Sequence, residues 1–366
     1  MLKRSFGVAA VTAAAALLLA ACSSGSDTAA SEDTAAGAAS GLACVILPDS
    51  ASSPRWENGD RPALKEALEA AGFTTDIQNA EGDTAKMLTI GDQMLASGCN
   101  VMIITDYQGA GAQVAAKSKA QGVPTIAYDR PIEGVDYYVS FDNVTVGTLQ
   151  GEGILKCLAD AGKDPKTAEL IFLDGSPTDG NAAMFAEGYD TALKAAGVEV
   201  DKAKLGAKRP DGSWDGAKAG TNFEQALTAN GGKVDAVVSA NDTNAASAIA
   251  ILDKNKLTVP VSGQDASKEG MNNVLSGKQC MTVFKDYLVE ASTAAELAIA
   301  ILKGETPTTN KQLADGTPFQ AADPQALYAD AASLEGFKAA LDRSGLTAAD
   351  VCTGDAAAKC TEIGLS

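Results

Sequence analysis

The sequence predicts an α/β protein built from two similar, doubly wound parallel-sheet lobes. Short apolar runs alternate with amphipathic stretches from Gly41 onward, and such alternation with short links is typical of parallel sheets covered on both faces. The segment "NVMIITDYQGAGAQVAAKSKAQGVPTIAYD" also aligns with "DAVVSANDTNAASAIAILDKNKLTVPVSGQD" as strand, polar loop, helix, Val-Pro, strand and Asp. The length of 366 residues is sufficient for two domains of ordinary size.

The first lobe begins with the predicted strand "ACVILP". A helix follows in "RPALKEALEAAGF", where Leu64, Ala67 and Leu68 recur at helical spacing and Gly72 marks the end. Strand "TTDIQNA", helix "TAKMLTIGDQMLASG", strand "NVMIIT", helix "AQVAAKSKAQG" and strands "VPTIAY" and "YYVSF" continue the alternation.

The second lobe repeats this pattern. Strands are predicted in "AELIFLDG", "VDAVVSA", "VPVSGQ" and "CMTVF", and helices in "NAAMFAEGYDTALKAAG", "FEQALTANG" and "NAASAIAILDKN". Two similar lobes are therefore the simplest architecture that accounts for the repeat.

Composition narrows the function classes. A hydrophobic content of 46% with 21% charged residues indicates a globular chain, and no internal stretch is long and apolar enough to span a membrane. The formal charge of −18 argues against nucleic acid as a partner, because a phosphate backbone requires a clustered basic surface. The acidic balance otherwise indicates only a soluble surface.

The N-terminal residues are predicted to direct export rather than to fold. Residues 1–21 have the basic start, apolar core and small-residue ending of a signal peptide. "LAAC" resembles a bacterial lipobox, so we expect Cys22 to be lipidated, with a free signal peptide as the alternative. The small polar residues of 22–41 predict a flexible tether, which would place the protein outside the cytoplasm, anchored to the outer face of the cell membrane.

Six further cysteines favour disulfide bonds in an exported chain. Metal binding is the competing interpretation, but the chain contains no Cys-x-x-Cys and no histidine, so no metal site is predicted. One connectivity of the fifteen possible joins neighbouring strand starts, closes a short C-terminal loop and pairs the remaining two cysteines. Its pairs are Cys44 with Cys99, Cys352 with Cys360, and Cys157 with Cys280.

The candidate site lies at the carboxyl ends of the strands, where open parallel sheets present their ligand-binding groups. Asp129 and Asp265 each follow the proline of their own copy of the repeat by five positions. If the two lobes face each other, these ends line one cleft. The side chains predicted there are Arg55, Trp56, Asp129, Arg130, Asp179, Asn181, Trp214, Asn241, Asp242, Asp265 and Lys285.

These residue types suit a sugar. A hydroxyl group both donates and accepts, so carboxylates can take its proton while Arg, Lys and Asn side chains donate to its oxygen. The apolar C–H face of a pyranose would pack on tryptophan. An incorrect epimer would leave a buried group unpaired, at a cost of about 1–3 kcal/mol, which provides selectivity.

Structural roles compete with ligand contact at several positions. Trp56 and Trp214 could be core aromatics, Asp129 and Arg130 could form a structural ion pair, and Asp179 could cap the helix that follows it. Asp142 is expected to cap the helix "NVTVGTLQ" rather than to touch ligand. Three acids could hold a loop or cap a helix instead of contacting the ligand: Asp106, Asp142 and Asp242.

Seven motifs resemble those of periplasmic sugar-binding proteins of ABC transporters, in particular the D-xylose-binding and multiple-monosaccharide-binding proteins. They are "SSPRWENGD", "AYDRPI", "YYVSFDNVTVG", "DGSPTDGNAAMF", "ALTANGGKVDAVVSANDTNA", "VSGQDA" and "MTVFKD", in the order and spacing of that family, and the similarity runs from Leu42 to the C-terminal region. The resemblance implies a type I periplasmic-binding fold with a three-strand hinge. The lobes are then expected at 42–141 plus 282–306 and at 142–281 plus 307–366.

By motif, the resemblance places sugar contacts on nine of the predicted residues and, less directly, on Asp179. It implies a monomer that binds one monosaccharide without a cofactor, and it favours D-xylose as that monosaccharide. The protein would deliver the sugar to a membrane permease by hinge closure. The chain departs from the family at "DGN", where relatives have "DNN"; Gly180 removes an amide, which affects the choice between xylose and a hexose. The nine contacts are Arg55, Trp56, Asp129, Arg130, Asn181, Trp214, Asn241, Asp265 and Lys285.

Four alternatives remain open at this point. The ligand could be another aldose, such as glucose, galactose, arabinose or ribose, or the protein could serve a chemosensory receptor. Paired carboxylates could belong to a glycosidase, although neighbouring cations are expected to keep these acids ionised and no enzyme is predicted. A repressor-like effector domain would share the fold, but the export signal and the lack of a helix-turn-helix head argue against it.

Overall fold

Residues 41–53 and 55–365 are described by the structure, a computed structural model. The predicted signal peptide, Cys22 and the tether as far as residue 40 lie outside the described residues. Within the described part of the chain, no helix has both the length and the apolar character needed to cross a membrane.

Strands and helices alternate through most of the chain, as the apolar periodicity predicts. The strands are β1 (Leu42–Leu47), β2 (Thr74–Asn79), β3 (Val101–Ile104), β4 (Thr125–Tyr128), β5 (Tyr137–Phe141), β6 (Leu170–Leu173), β7 (Ala236–Ser239), β8 (Met281–Phe284), β9 (Lys311–Gln312), β10 (Pro318–Ala322) and β11 (Gln325–Tyr328). The α-helices are α1 (Arg61–Ala70), α2 (Thr84–Ala96), α3 (Ala110–Ala120), α4 (Asn143–Asp160), α5 (Gly180–Ala195), α6 (Lys202–Leu205), α7 (Gly216–Ala229), α8 (Asp242–Lys254), α9 (Lys268–Leu275), α10 (Tyr287–Leu302), α11 (Leu334–Arg343), α12 (Ala348–Val351) and α13 (Ala356–Ile363).

The first sheet has seven strands in the order β2-β1-β3-β4-β5-β10-β9. All its pairs are parallel except β10 with β9. Helices cover both faces: α2 and α3 pack on one, and α1 and α10 on the other. The run 2-1-3-4-5 is a doubly wound order, in which ligands bind beyond the carboxyl ends of the strands.

The second sheet contains β6 parallel to β7 and β11 antiparallel to β8. Isolated bridges link the two pairs, from Val237 to Val261 and from Gln264 to Val283. The strand predicted in "VPVSGQ" is therefore reduced to these bridges, because Pro260 has no N–H to donate and Gly263 adds no side-chain packing. Hydrophobic clusters again lie on both faces of this sheet.

The chain passes between the two sheets three times: between β5 and α4, between β8 and α10, and between β10 and β11. We therefore call residues 42–141 and 285–322 the N-terminal lobe, and residues 142–284 and 323–365 the C-terminal lobe. The boundaries differ from the predicted ones at two places. β8 lies in the second sheet, and β9 and β10 lie in the first, where Phe319 stacks on Tyr138 at 4.6 Å between ring centroids.

Helices α4 and α5 pack side by side on the second sheet. A side chain at Gly147 would collide with the backbone of Phe185, and one at Gly188 with the backbone of Val144, so both glycines allow a close approach of the helix axes. This contact holds the N-terminus of α5, and with it Asp179 and Asn181, at the edge of the cleft.

The described residues form three disulfide bonds, with the connectivity set out from the sequence. Cys44 on β1 bonds to Cys99 before β3, Cys157 on α4 bonds to Cys280 before β8, and Cys352 bonds to Cys360 near the C-terminus. Each bond lies within one lobe, so none of the three restrains the movement of one lobe against the other.

Candidate functional site

Asp129 and Asp265 occupy equivalent positions at the ends of their repeats. Both have a left-handed backbone, with φ of 62° and 99°, and each donates its N–H at 2.8 Å to a neighbouring strand, to Val139 and Val283 respectively. Positive φ is uncommon outside glycine, although Asp tolerates it better than most residues, and such conformations cluster at functional sites. The repeat therefore turns one carboxylate from each lobe toward the same space.

All ten residues predicted to bind ligand line one cavity between the lobes. The cavity is narrow, about 50 Å³, and shares Ser52, Arg130, Asp179 and Trp214 with a wider interlobe space of about 670 Å³. Four further residues line the narrow cavity without having been predicted: Ser52, Ser53, Phe185 and Gln264.

The loop after β1 is held by Asp49, which accepts hydrogen bonds from the backbone N–H of Ala51 at 2.8 Å and from the hydroxyl of Ser52 at 2.9 Å. The same Ser52 oxygen accepts from Trp56 Nε1 at 3.1 Å and from Arg130 Nη2 at 3.2 Å. Ser52 thus joins two predicted ligand-binding residues. Trp56 combines the two alternatives weighed for it, since it belongs to the N-terminal core and also lines the cavity.

Arg55 precedes a π-helical turn (Trp56–Asp60) and is held by acids on three sides. Asp60 accepts from its Nε and Nη2, both at 2.9 Å, and Glu290 on α10 accepts from Nη2 at 2.5 Å. On the cavity side, Nη1 lies 3.3 Å from Asp129 Oδ2. These contacts raise the pKa of Arg55 despite the opposing effect of its burial, so it is a permanent cation at the cavity wall.

Arg130 connects the lobes. Its Nη1 donates to the backbone oxygen of Asp106 at 2.8 Å, and its Nε lies 3.3 Å from Asp179 Oδ2 across the cleft. Asp179 also accepts from the N–H of Asn181 at 2.9 Å, which caps α5, and from Trp214 Nε1 at 3.0 Å. Asp179 is therefore both a helix cap and a cavity residue.

Asn181 is buried in a polar network at the centre of the interface between the lobes. Its Nδ2 donates to the backbone oxygen of Asp129 at 2.9 Å, and its Oδ1 accepts from Asn143 Nδ2 at 2.8 Å. Tyr138 and Ser140 each donate to the same Asp129 oxygen at 2.8 Å. This network fixes the left-handed turn at Asp129 from both lobes.

Asn241 caps α8, accepting from the N–H of Asn244 at 2.9 Å. Asp242 behind it accepts from Gln279 Nε2 at 2.8 Å, from Thr282 Oγ1 at 2.9 Å and from the N–H of Ser267 at 2.8 Å. Asp242 is thus a loop-fixing group. Burial raises its pKa to about 7, and the nearby negative charge of Asp265 adds to the shift.

Lys285 lies where the chain returns to the N-terminal lobe, with Nζ 3.5 Å from Asp265 Oδ1. Its ammonium group also faces the rings of Phe141 at 5.5 Å and Phe185 at 5.7 Å. The pair with Asp265 adds a second carboxylate and a further cation to the lining of the cavity.

The remaining acids considered from the sequence are structural. Asp106 accepts from the N–H groups of Gly109 at 2.8 Å and Gly111 at 2.7 Å, which fixes the start of α3. Asp142 caps α4 by accepting from the N–H of Thr145 at 3.3 Å. Asp142 does not line the narrow cavity.

Two of the cavity carboxylates, Asp129 of the N-terminal lobe and Asp179 of the C-terminal lobe, differ in the direction of their pKa shift. Burial alone would raise the pKa of Asp129, but Arg55, Lys285 and Arg130 outweigh it and lower the pKa. Burial raises the pKa of Asp179 more than Arg130 lowers it. The cations of the cleft therefore outweigh burial at Asp129, whereas at Asp179 burial outweighs Arg130.

Sequence reasoning missed the buried acids behind Arg55. Asp60 and Glu290 are each 0% exposed, and neither lies at the end of a strand. The sequence could have indicated that Glu290 is buried, because Glu290 shares a helix face with the apolar residues Ala294 and Leu297 of α10. A carboxyl group on a buried face requires a hydrogen-bond partner, and Arg55 is that partner.

The cavity thus offers both acceptors and donors around a small space, together with the aromatic side chains of Trp56, Phe185 and Trp214. Its ion pairs at 3.3–3.5 Å are longer than charge-assisted hydrogen bonds of about 2.7–2.9 Å, so a polar group could insert between the partners. Such a site can bind a small, neutral, hydroxyl-rich molecule.

Comparison with known proteins agrees with this architecture. The D-xylose-binding periplasmic protein of Escherichia coli is 33% identical over 267 residues, covering 72% of this chain and 78% of the relative. The multiple sugar-binding periplasmic protein of Azospirillum brasilense is 34% identical over 292 residues, covering 74% and 80%. A solved ABC transporter solute-binding protein from Clostridium phytofermentans with bound β-D-glucose has a TM-score of 0.68 and 29% identity, covering 78% of this chain and 93% of that one.

The family model described as the periplasmic binding protein domain matches residues 44–306. That range contains most of β1 and all of β2 to β5 of the first sheet, and the whole lining of the cavity. With two facing α/β lobes and relatives above 30% identity over more than two thirds of the chain, the chain belongs to the periplasmic binding protein family, with the type I fold.

Proposed function

We propose that this protein is the extracytoplasmic sugar-binding component of an ABC transporter, and that it binds one monosaccharide between its two lobes. D-xylose is the monosaccharide that we propose. In this proposal a lipid on Cys22 holds it at the outer face of the cell membrane, and a permease receives the sugar. The observation that carries the proposal is the single cavity in which all ten predicted side chains meet.

The chemistry of the cavity supports a neutral polyol over a charged ligand. Three cations of the cavity lining pair with its three carboxylates, so neither sign is left in excess to attract an ion. Trp56, Phe185 and Trp214 supply apolar surface for the C–H groups of a sugar ring. The relatives named above for xylose and for multiple sugars, and the glucose-bound structure, support a monosaccharide of this kind.

The proposed mechanism is closure of the lobes on the sugar. The narrow cavity is too small for a pyranose while its side chains are paired with one another, so the cross-cleft pair of Arg130 and Asp179 must separate as the sugar enters. The ligand favours closure only through contacts that it gains when both lobes touch it. Arg55 and Asp129 would bind from one side, and Asn241 and Asp265 from the other.

No catalysis is proposed. Asp129 is paired with Arg55 and has a lowered pKa, so it is an acceptor of hydrogen bonds at neutral pH. Asp179, whose pKa is raised, is engaged by Arg130 and Trp214. Incubation with aryl glycosides and disaccharides is expected to give no turnover, and release of an aglycone or monosaccharide would contradict this part of the proposal.

The test is calorimetric titration with D-xylose, D-glucose, D-galactose, L-arabinose and D-ribose. We expect one site per chain and the tightest binding for D-xylose. Tighter binding of another aldose would change the ligand but keep the class, whereas no binding of any of the five would refute the proposed function.

Two variants connect binding to the cavity. Asp129→Asn and Asp265→Asn remove one carboxylate from each lobe, and asparagine tolerates the left-handed backbone at both positions. Each is expected to weaken sugar binding by about 10- to 100-fold, the usual effect of losing a hydrogen bond to a charged group. Asp253→Asn, on the exposed surface of α8, is the matched control and should bind as the wild type does.

A further inference from the structure

Three carboxylates converge on the single guanidinium of Arg55. Asp60 accepts from two of its nitrogens at 2.9 Å, Glu290 Oε2 accepts at 2.5 Å, and Asp129 Oδ2 lies at 3.3 Å. Asp60 and Glu290 are fully buried, and only Asp129 reaches the cavity. Lys285, which pairs with Asp265, and Arg130 also act on Asp129, but from a greater distance than Arg55. Three buried acids therefore share the guanidinium of Arg55.

The hydrogen bonds distinguish Glu290 from the two other acids around Arg55. Both oxygens of Asp60 accept, from Arg55 and from the hydroxyl of Tyr128, as expected for a carboxylate. Asp129 accepts from Arg55 and Asn181. Glu290 Oε1, in contrast, is buried and has no hydrogen-bond partner among the described residues. An ionised oxygen without a donor would be costly there, whereas a protonated carboxyl could donate to Asp129.

Charged and titratable groups from the surrounding elements favour the neutral acid. Burial raises the pKa of Glu290 well above its usual value, and the negative charges of Asp129 and Asp60 add to the shift, while Arg55 and Lys285 oppose it. A hydrogen bond from Glu290 in turn helps to lower the pKa of Asp129. The groups that face Glu290 are Arg55 and Asp60 before α1, Tyr128 and Asp129 at the end of β4, Tyr138 on β5, and Lys285 after β8.

We infer that Glu290 is a protonated positioning residue, which donates its proton to Asp129 and holds Arg55 at the cavity wall, so that sugar affinity depends on this proton. This inference rests on the proposed function. When Glu290 ionises, it competes with Asp129 for Arg55 and repels the carboxylate that must accept from the sugar. Ligand binding excludes water from the cavity and increases this penalty, so the sugar binds the protonated form more tightly.

The direction of the pH dependence follows. Below the raised pKa of Glu290 the acid is neutral and affinity is full; as pH rises through that pKa, affinity falls. Binding in this range also takes up protons, because the sugar selects the protonated protein. A difference of one pKa unit between free and bound protein corresponds to about a tenfold loss of affinity at high pH.

The experiment is titration of wild-type protein with D-xylose, or with the aldose that binds most tightly, from pH 6 to pH 9.5 in buffers of different ionisation enthalpy. We expect affinity to fall on the order of tenfold, with proton uptake on binding. Glu290→Gln, which mimics the neutral acid, should bind with an affinity that no longer changes over this range and without proton uptake. Glu290→Leu, which cannot hold Arg55, should bind weakly at every pH.

Glu296→Gln is the matched control, because Glu296 is exposed on the same helix; it should keep the wild-type pH profile. A wild-type affinity that does not change with pH, or an alkaline loss that persists in Glu290→Gln, overturns the inference while leaving the proposed function intact. Thermal unfolding provides a test without sugar. Wild type should lose stability relative to Glu290→Gln as pH rises, and equal slopes for the two proteins would also contradict the inference.

Discussion

At the scale of single residues, the site depends on charges that hold one another in place. Arg55 is fixed from behind by Asp60 and Glu290 and from the cavity side by Asp129. Buried ion pairs add little net stability, but removing one partner leaves an uncompensated charge at a cost of about 3–5 kcal/mol. Their contribution here is orientation, since they present hydrogen-bonding groups at defined positions around a small ligand.

Asp242 should make the stability of the protein fall between about pH 4 and pH 7. Its pKa is raised to about 7 in the folded state, so the folded protein holds a proton that the unfolded chain has already released. The corresponding loss in the free energy of unfolding is at most about 4 kcal/mol. Chemical denaturation of wild type at several pH values from 4 to 8 measures it.

Asp242→Asn isolates this effect. The variant keeps an acceptor for Gln279 and Thr282 but loses the bond from the N–H of Ser267, so it should be less stable than wild type at pH 5. Its stability should decline less between pH 5 and pH 8. Identical slopes for the two proteins, or a wild-type stability that rises over this range, would show that Asp242 is ionised throughout.

The residues at strand ends could be predicted from the sequence, because the repeat locates equivalent ends and parallel sheets gather them at one edge. Asp129 and Asp265 are the clearest examples, since both lie five positions after a Val-Pro. Ser52 and Gln264 could not be selected in the same way, as nothing in a serine-rich loop or in "GQD" distinguishes which polar side chain reaches the cavity. Glu290 contributes from a helix, and its partner is 235 positions away.

At the scale of elements, the site depends on how helix N-termini meet strand ends. Asp179 and Asn241, the residues just before α5 and α8, cap these helices and also line the cavity. The close packing of α4 against α5 sets the position of Asp179. Predicted and observed elements agree where apolar periodicity is strong. They differ at "VPVSGQ" and at β10, a strand of five residues that pairs with β5.

Gly147→Ala should destabilise the protein. The added methyl group would collide with the backbone of Phe185 on α5, which cannot move aside as a flexible side chain can. Overpacking of this kind costs about 1–3 kcal/mol in the free energy of unfolding, measurable by chemical denaturation. Weaker sugar binding should accompany it, because α5 carries Asp179 and Asn181.

Gly220→Ala is the matched control. Gly220 lies within α7, where a methyl group would meet the Cβ of Ser247 at an ordinary 3.6 Å. Replacing a helical glycine by alanine there should stabilise the protein by about 0.5–1 kcal/mol. Equal stability of the two variants would contradict this prediction, because it would mean that α4 and α5 approach each other less closely than in the structure.

At the scale of the whole molecule, the two lobes are linked by three crossings and by polar contacts across the cleft. Each disulfide bond is confined to one lobe, so the covalent links stabilise the lobes and leave the crossings free to bend. The three crossings could be anticipated from family resemblance, but not the position of β10, since residues far apart in sequence complete the first sheet.

The most direct test of the whole account is a crystal structure of the protein with the aldose that binds most tightly. We predict one sugar ring between the lobes, with hydroxyl groups within about 3 Å of the carboxylates of Asp129 and Asp265 and with the pair of Arg130 and Asp179 reorganised around it. A sugar bound on the surface of one lobe, with this cavity unchanged, would contradict the account.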